Sequence, residues 1–302
     1  MKQDKPFRGT GTALVTPFKK DRSLDEVTLK KLVDFQIAGG VEAIVPVGTT
    51  GESPSISLDE HCRILDTVIT RARGRVKVFA GSGSNYTNKA IELTHLAKDM
   101  GADAAILVAP YYNKPTQEGY FQHYLAVAEA VDIPLIVYNV PGRTGGNISA
   151  STTLRIAEEI PSVIGVKEAS GNFGQIMEIA RNKPARFSLL SGDDAITLPI
   201  LSVGGDGCIS VVSNELPREF SDLVRSALAG NWKKGLKLHN RLLPIMNANF
   251  IETNPIPVKA ALAMMGLIDE VYRLPLVPIG TANRKSLRKV LVNLGLIGSR
   301  RA

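Results

Sequence analysis

The residue best placed for covalent chemistry is a lysine near the end of a short apolar run, V-I-G-V-K-E-A-S-G at Val163 to Gly171. Read as a strand, the run puts Val163, Gly165 and Lys167 on one face and Ile164 and Val166 on the other. In a parallel sheet covered on both sides, Lys167 points into protein or a cleft, where desolvation favours the neutral amine. A neutral amine attacks carbonyl carbon, so the expected chemistry is imine formation. In L-I-V-Y-N-V, Tyr138 lies on the face opposite Val137 and belongs to the preceding strand, a neighbour of the Lys167 strand in such a fold. A phenol beside an amine can shuttle the protons of imine formation and hydrolysis. Taken singly, each residue also has a plainer reading: a strand-end lysine that reaches solvent or a carboxylate, and a core tyrosine with a satisfied hydroxyl.

Other loops add polar groups. Thr49 and Thr50, in G-T-T-G-E, offer hydroxyls and backbone N–H groups to an anion, although a Gly-Thr turn is also a common connection. Arg143, in P-G-R-T-G, carries a fork of donors suited to a carboxylate, or to a surface ion pair. Tyr111, Tyr112 and Gly192 fall in equivalent loops. Nucleotide chemistry finds no support: G-S-G-S-N lacks the third glycine of a dinucleotide fingerprint, and there is no phosphate-loop motif. Asp193 and Asp194 precede a helix, where carboxylates cap. His61, His95, His123 and His239 fall on helices without ligand spacing and read as structural, so no metal is expected.

Positioning these groups requires a regular scaffold. Strand-like runs at 9–18, 43–47, 76–80, 104–109 and 135–140, a sixth carrying Lys167, and runs at 187–190 and 207–212 alternate with helical segments. Ser23 with Glu26, and Ser57 with Glu60, have the spacing of capping boxes opening the first two helices. About eight strand-then-helix units predict an α/β fold, a (β/α)8 TIM barrel over residues 1–229, with its site at the carboxyl ends of the strands. An open doubly wound sheet is the alternative. Residues 230–302 contain no convincing strand and read as a C-terminal helical region, with helices expected at 232–250, 257–265 and 282–294.

Composition narrows the class. The chain has 302 residues, 44% of them hydrophobic and 22% charged, as in soluble globular proteins. Its start lacks the apolar core of a leader, and no run approaches the roughly 20 apolar residues of a membrane span, so a cytoplasmic enzyme without a membrane partner is expected. Cys62 and Cys208 are neither close nor in a C-x-x-C pattern and read as reduced thiols. The net charge of +7 equals the seven basic residues that follow the last acid, Glu270, from Arg273 to Arg301. Only Tyr272 is aromatic there, so this segment reads as a solvated helix face and not as a nucleic-acid patch.

G-T-T-G-E at 48–52, P-Y-Y-N-K-P-T-Q-E-G at 110–119, Y-N-V-P-G-R-T-G at 138–145, V-K-E-A-S-G at 166–171, L-S-G-D-D at 190–194 and N-P-I-P-V-K at 254–259 closely resemble the dihydrodipicolinate synthase family, within the pyruvate-dependent class I aldolases. The resemblance runs in order from about Gly9 to Leu296. It implies condensation of pyruvate with L-aspartate 4-semialdehyde on the diaminopimelate route to lysine, with no cofactor beyond a covalent pyruvate imine on Lys167. It also implies roles. Tyr138, Thr49 and Tyr112 form a proton relay, Tyr112 reaching into a neighbouring subunit's site. Thr50 holds the pyruvate carboxylate, Arg143 binds the semialdehyde carboxylate, and Gly192 and the Ile209 carbonyl shape the pocket. A homotetramer built from two tight dimers follows from the same resemblance.

Lysine-inhibited members resemble one another at a dimer-interface site. Ser53, His61, Asn85 and Tyr111 match that pattern here, but Pro54, Leu58 and Lys89 do not, and Lys89 replaces the acid expected to hold the ligand's α-amino group. Weak or absent lysine inhibition is therefore expected. Sialic-acid lyases and keto-deoxy-sugar acid aldolases share the lysine and tyrosine, and Arg143 favours the synthase over them. A noncatalytic pyruvate sensor on the same scaffold is the reading from another class; it would tolerate loss of Lys167, Tyr138 or Tyr112.

Overall fold

The computed structural model describes residues 7–299; residues 1–6, on which the leader reading falls, and residues 300–302, with Arg300 and Arg301 of the basic segment, lie outside the described residues. Eight parallel strands run as β1 (Gly9–Ala13), β2 (Ala43–Val45), β3 (Lys77–Gly81), β4 (Ala104–Val108), β5 (Leu135–Asn139), β6 (Val163–Glu168), β7 (Ser188–Ser191) and β8 (Gly207–Ser210). They pair in sequence order, and β1 pairs with both β2 and β8, so the sheet closes into a TIM barrel and the open doubly wound alternative falls.

The strands are shorter than the apolar runs that announce them. Past β1, Val15 N–H donates to Asn214 Oδ1 at 3.1 Å and Asn214 Nδ2 donates to the Ala13 carbonyl at 2.8 Å. A side-chain amide thus takes over the work of the strand ladder. β2 stops before Pro46, which has no N–H to contribute.

Alternation splits the strand residues into two layers. Ala43, Phe79, Ile106, Ile136, Leu190 and Ile209 fill the barrel interior, whereas Leu107, Val137, Val166 and Leu189 face the helices and pack with Tyr124, Ile156 and Ile176. The expected parity fails at the start of β6. Leu135 pairs with Val163, but Ile136 pairs with Gly165, so Ile164 is an extra residue in the ladder. Val163 consequently joins the outer layer and Ile164 packs against the interior. The irregularity lies before Gly165, and Lys167 keeps its inward face.

The Ser57–Glu60 capping box is formed at the head of the helix Leu58–Ala72. The one expected at Ser23 and Glu26 is not: Asp25 caps the helix Glu26–Gly39 by accepting from Thr28 N–H, and Ser23 bonds instead to Asp21. An aspartate one residue from the helix start outcompetes a serine that a tight turn has already engaged.

After the last barrel helix, Pro217–Leu228, come helices Trp232–Ala248, Ile256–Met264 and Thr281–Asn293. Phe220, Leu223 and Val224 pack with Leu242, Ile245, Leu287 and Leu291 in one apolar cluster, which seats the C-terminal helices on the barrel. Among the described residues no helix is long and apolar enough to cross a membrane.

Candidate active site

Lys167 ends up inside the barrel mouth because its neighbour is pinned outside. The fully buried Glu168 side chain accepts hydrogen bonds from Asn139 Nδ2 and Gln175 Nε2, both at 3.0 Å, and from Ser170 N–H at 2.7 Å. With Glu168 fixed among the helices, alternation aims Lys167 inward. Lys167 is 7% exposed and Tyr138 8% exposed; the two are register partners on β6 and β5, and Lys167 Nζ stands 4.1 Å from the centre of the Tyr138 ring.

Both border a cavity of about 460 Å³ that also reaches Thr49, Tyr111, Arg143, Thr144, Ser53, His61 and Lys89. Its lining includes Lys89, Arg143 and Lys167 and no carboxylate, so it favours anionic ligands. Burial, aided by the nearby Lys89 charge, pulls His61 down to about 4, which leaves its imidazole neutral at pH 7. His61, read from sequence as a structural helix residue, lines the cavity.

The other expected site residues take different places. Thr50 is buried just behind the lining, its hydroxyl oxygen accepting from Asn254 Nδ2 at 3.0 Å. Gly192 follows β7 and abuts the lysine stem: a Cβ there would lie 2.6 Å from Ala169 Cβ and 3.2 Å from Lys167 Cε. Ile209 is buried on β8 inside the barrel, against Gly11. Tyr112 stands apart. It is 90% exposed with φ of 71°, and its side chain leaves the barrel instead of entering the cavity.

The threonine loop is braced from the C-terminal helices. Thr16 Oγ1 donates to the Gly51 carbonyl at 2.7 Å, and Glu52, at φ of 58°, forms a fully buried ion pair with Lys259 at 2.5 Å. Glu52 also accepts from Arg273 N–H at 3.3 Å. Burial pulls the Lys259 amine down, and Glu52 opposes that by favouring its cation. Arg273 itself packs over Phe18 and pairs with Glu60 at 2.5 Å, which corrects the solvated-face reading for this member of the basic segment. Arg143, on the short helix Pro141–Thr144, donates to the Asn254 carbonyl at 3.1 Å.

Of the two aspartates expected to cap, Asp193 does so by accepting from Ala195 N–H at 2.9 Å. Asp194 does something else: it is buried and accepts from Val211 and Val212 N–H at 3.0 and 2.8 Å, tying down the end of β8. Sequence reasoning missed this role, along with the Glu52–Lys259 pair and Asn254. Glu52, Lys259 and Asn254 all lie in motifs that carry the family resemblance, but partners 204 and 207 residues apart leave no local spacing to read.

The comparisons with known proteins agree along the whole chain. The model of the dihydrodipicolinate synthetase family matches residues 6–294. A 4-hydroxy-tetrahydrodipicolinate synthase from Koribacter versatilis is 53% identical over 292 residues, 96% of this chain and 97% of that protein. The enzyme of the same name from Chloroherpeton thalassium is 50% identical over 295 residues, 98% of each chain. Among solved structures, the chloride-inhibited dihydrodipicolinate synthase of Acinetobacter baumannii, complexed with pyruvate, is 46% identical and superposes with a TM-score of 0.94, covering 96% of this chain and 99% of that one. The closed barrel it shares with solved relatives and its near-complete overlap with them lead to one conclusion: this chain belongs to the dihydrodipicolinate synthetase family, and is a lyase of the class I aldolase type.

Proposed function

We propose that the chain condenses pyruvate with L-aspartate 4-semialdehyde through an imine on Lys167. The observation that carries this reading is the inward-facing pair Lys167 and Tyr138 in a cavity lined by Lys89 and Arg143 and by no carboxylate. Lys167 Nζ adds to the keto carbon of pyruvate, and loss of water leaves the imine. The imine draws electrons from the adjacent methyl, which gives up a proton and becomes an enamine. The enamine carbon attacks the aldehyde carbon of the semialdehyde, and the aldehyde oxygen takes up a proton. The semialdehyde's amine then adds to the imine carbon and expels the Lys167 amine, closing the ring and freeing the enzyme. No redox change occurs, and the reaction draws on no cofactor.

Tyr138 and Thr49 carry the protons within the subunit. Tyr112, solvent-facing on its own barrel, completes the relay in a neighbouring subunit, as expected of a tetramer made of two tight dimers. Thr50 holds the pyruvate carboxylate, Arg143 at the rim takes that of the semialdehyde, and Gly192 and Ile209 keep the space around the imine. The enzyme works in the cytoplasm. Lysine inhibits it weakly or not at all, because Lys89, paired with Glu92 at 2.7 Å, lines the same cavity as Ser53, His61 and Tyr111 and puts an ammonium where a lysine ligand would need an acid.

The deciding experiment is turnover of pyruvate plus L-aspartate 4-semialdehyde by purified protein, with Lys167→Ala beside it. Turnover that vanishes in the variant supports the substrate pair and the nucleophile. A folded wild-type protein that borohydride traps on pyruvate but that does not turn over the semialdehyde has a different aldehyde acceptor.

A further inference from the structure

Asn254 sits in the turn before the helix Ile256–Met264 and touches two residues of the site at once. Its Nδ2 donates to Thr50 Oγ1 at 3.0 Å, and its carbonyl accepts from Arg143 Nη2 at 3.1 Å. The residue is 5% exposed, and its Oδ1 meets no partner among the described residues. It also borders a cleft of about 150 Å³ shared with Thr49, Arg143 and Arg273. One residue of the C-terminal helical region thus bonds both a threonine and an arginine of the barrel mouth.

A hydroxyl has one hydrogen and two acceptor lone pairs. An amide N–H that occupies a lone pair of Thr50 Oγ1 leaves the hydroxyl hydrogen for another acceptor. We propose that Asn254 is a positioning residue for carboxylate recognition: it polarises Thr50 so that the threonine hydroxyl donates to the keto-acid carboxylate, and its backbone carbonyl holds the Arg143 fork at the rim. This rests on the pyruvate-condensing reading above and adds the group that gives Thr50 its donor direction. Asn254→Asp, almost unchanged in shape, replaces the donor by an acceptor and draws the Thr50 hydrogen toward itself. Asn254→Ala removes the donor and leaves the hydroxyl free to turn.

The test is the pyruvate KM and kcat of Asn254→Asp, Asn254→Ala and Thr50→Val, plus the double variant Asn254→Asp/Thr50→Val, with circular dichroism and thermal midpoint on each. The expected result is a pyruvate KM raised about tenfold in Asn254→Asp, less in Asn254→Ala, with kcat nearly kept, as for loss of a hydrogen bond to a charged group. In the Thr50→Val background, Asn254→Asp adds no further rise in KM. Three results overturn the inference: a KM effect of the aspartate that persists without the hydroxyl, a truncation worse than the isosteric change, or losses confined to kcat and thermal midpoint. If Asn254→Asp does not fold, the comparison of Asn254→Ala with Asn254→Ala/Thr50→Val decides in the same way. Wild-type turnover tests the pyruvate reading separately, so the inference can fail while that reading stands.

Discussion

Tyr138 and Lys167 are register partners on adjacent strands, with the Lys167 amine 4.1 Å from the centre of the tyrosine ring. The pairing follows from the barrel: consecutive parallel strands lie side by side, and residues of like parity near their carboxyl ends meet in the mouth. Gly192 sets how closely the next strand can approach that amine, since any Cβ there crowds Lys167 Cε and Ala169. Gly192→Ala is expected to lower kcat tenfold or more while leaving the circular dichroism spectrum intact, about 1.4 kcal/mol in the barrier. Unchanged kcat would show that the lysine stem tolerates the methyl.

The brace between the threonine loop and the C-terminal helices is a stability element. Lys259→Met removes one partner of a fully buried pair and leaves Glu52 uncompensated, at an expected cost of about 3–5 kcal/mol in urea unfolding. The double change Glu52→Gln/Lys259→Met is expected to recover part of that loss. A single variant as stable as wild type would mean that the pair contributes nothing net.

Acid should weaken the fold through its buried histidines. Burial pulls His123 down to about 4, as it does His61, while an unfolded histidine titrates near its ordinary 6.5. Below that value the unfolded chain binds more protons, so stability is lost as pH falls from about 6.5 toward 4. At pH 5 each such group costs about 2 kcal/mol. Glu60 acts in a lower window: Arg273 holds it at about 2, so its contribution is present above the ordinary 4.5 and fades as pH falls toward 2. The gap between urea midpoints at pH 7 and pH 5 should narrow in His123→Asn, with His61 accounting for what remains; an undiminished pH dependence in that variant would place the effect elsewhere.

Much of this architecture is legible in the sequence. Helical periodicity, the Ser57–Glu60 box and the strand count lead to the barrel, and parity alone places Lys167 and Tyr138 together. Strand ends are less legible, because Asn214, some 200 residues away, supplies the bonds that terminate β1. The β6 irregularity is equally hidden, since Ile164 differs in no local way from a residue of a regular strand. Arg273 misleads for the same reason: counted by charge it belongs to a basic tail, but the fold half-buries it between Phe18 and Glu60.

Lysine response tests the electrostatics of the cavity lining around Lys89. Wild-type enzyme is expected to keep more than half its activity at about 1 mM lysine, since Lys89 opposes an ammonium there. Lys89→Glu should increase sensitivity in the same assay. Half-inhibition of wild type at submillimolar lysine would refute the prediction.

The most direct measurement is borohydride reduction of the enzyme in the presence of pyruvate, followed by peptide mapping. A single reduced adduct is expected on Lys167, absent from a folded Lys167→Ala variant that has also lost turnover. An adduct on another lysine, or turnover that persists without Lys167, would contradict imine chemistry at this residue.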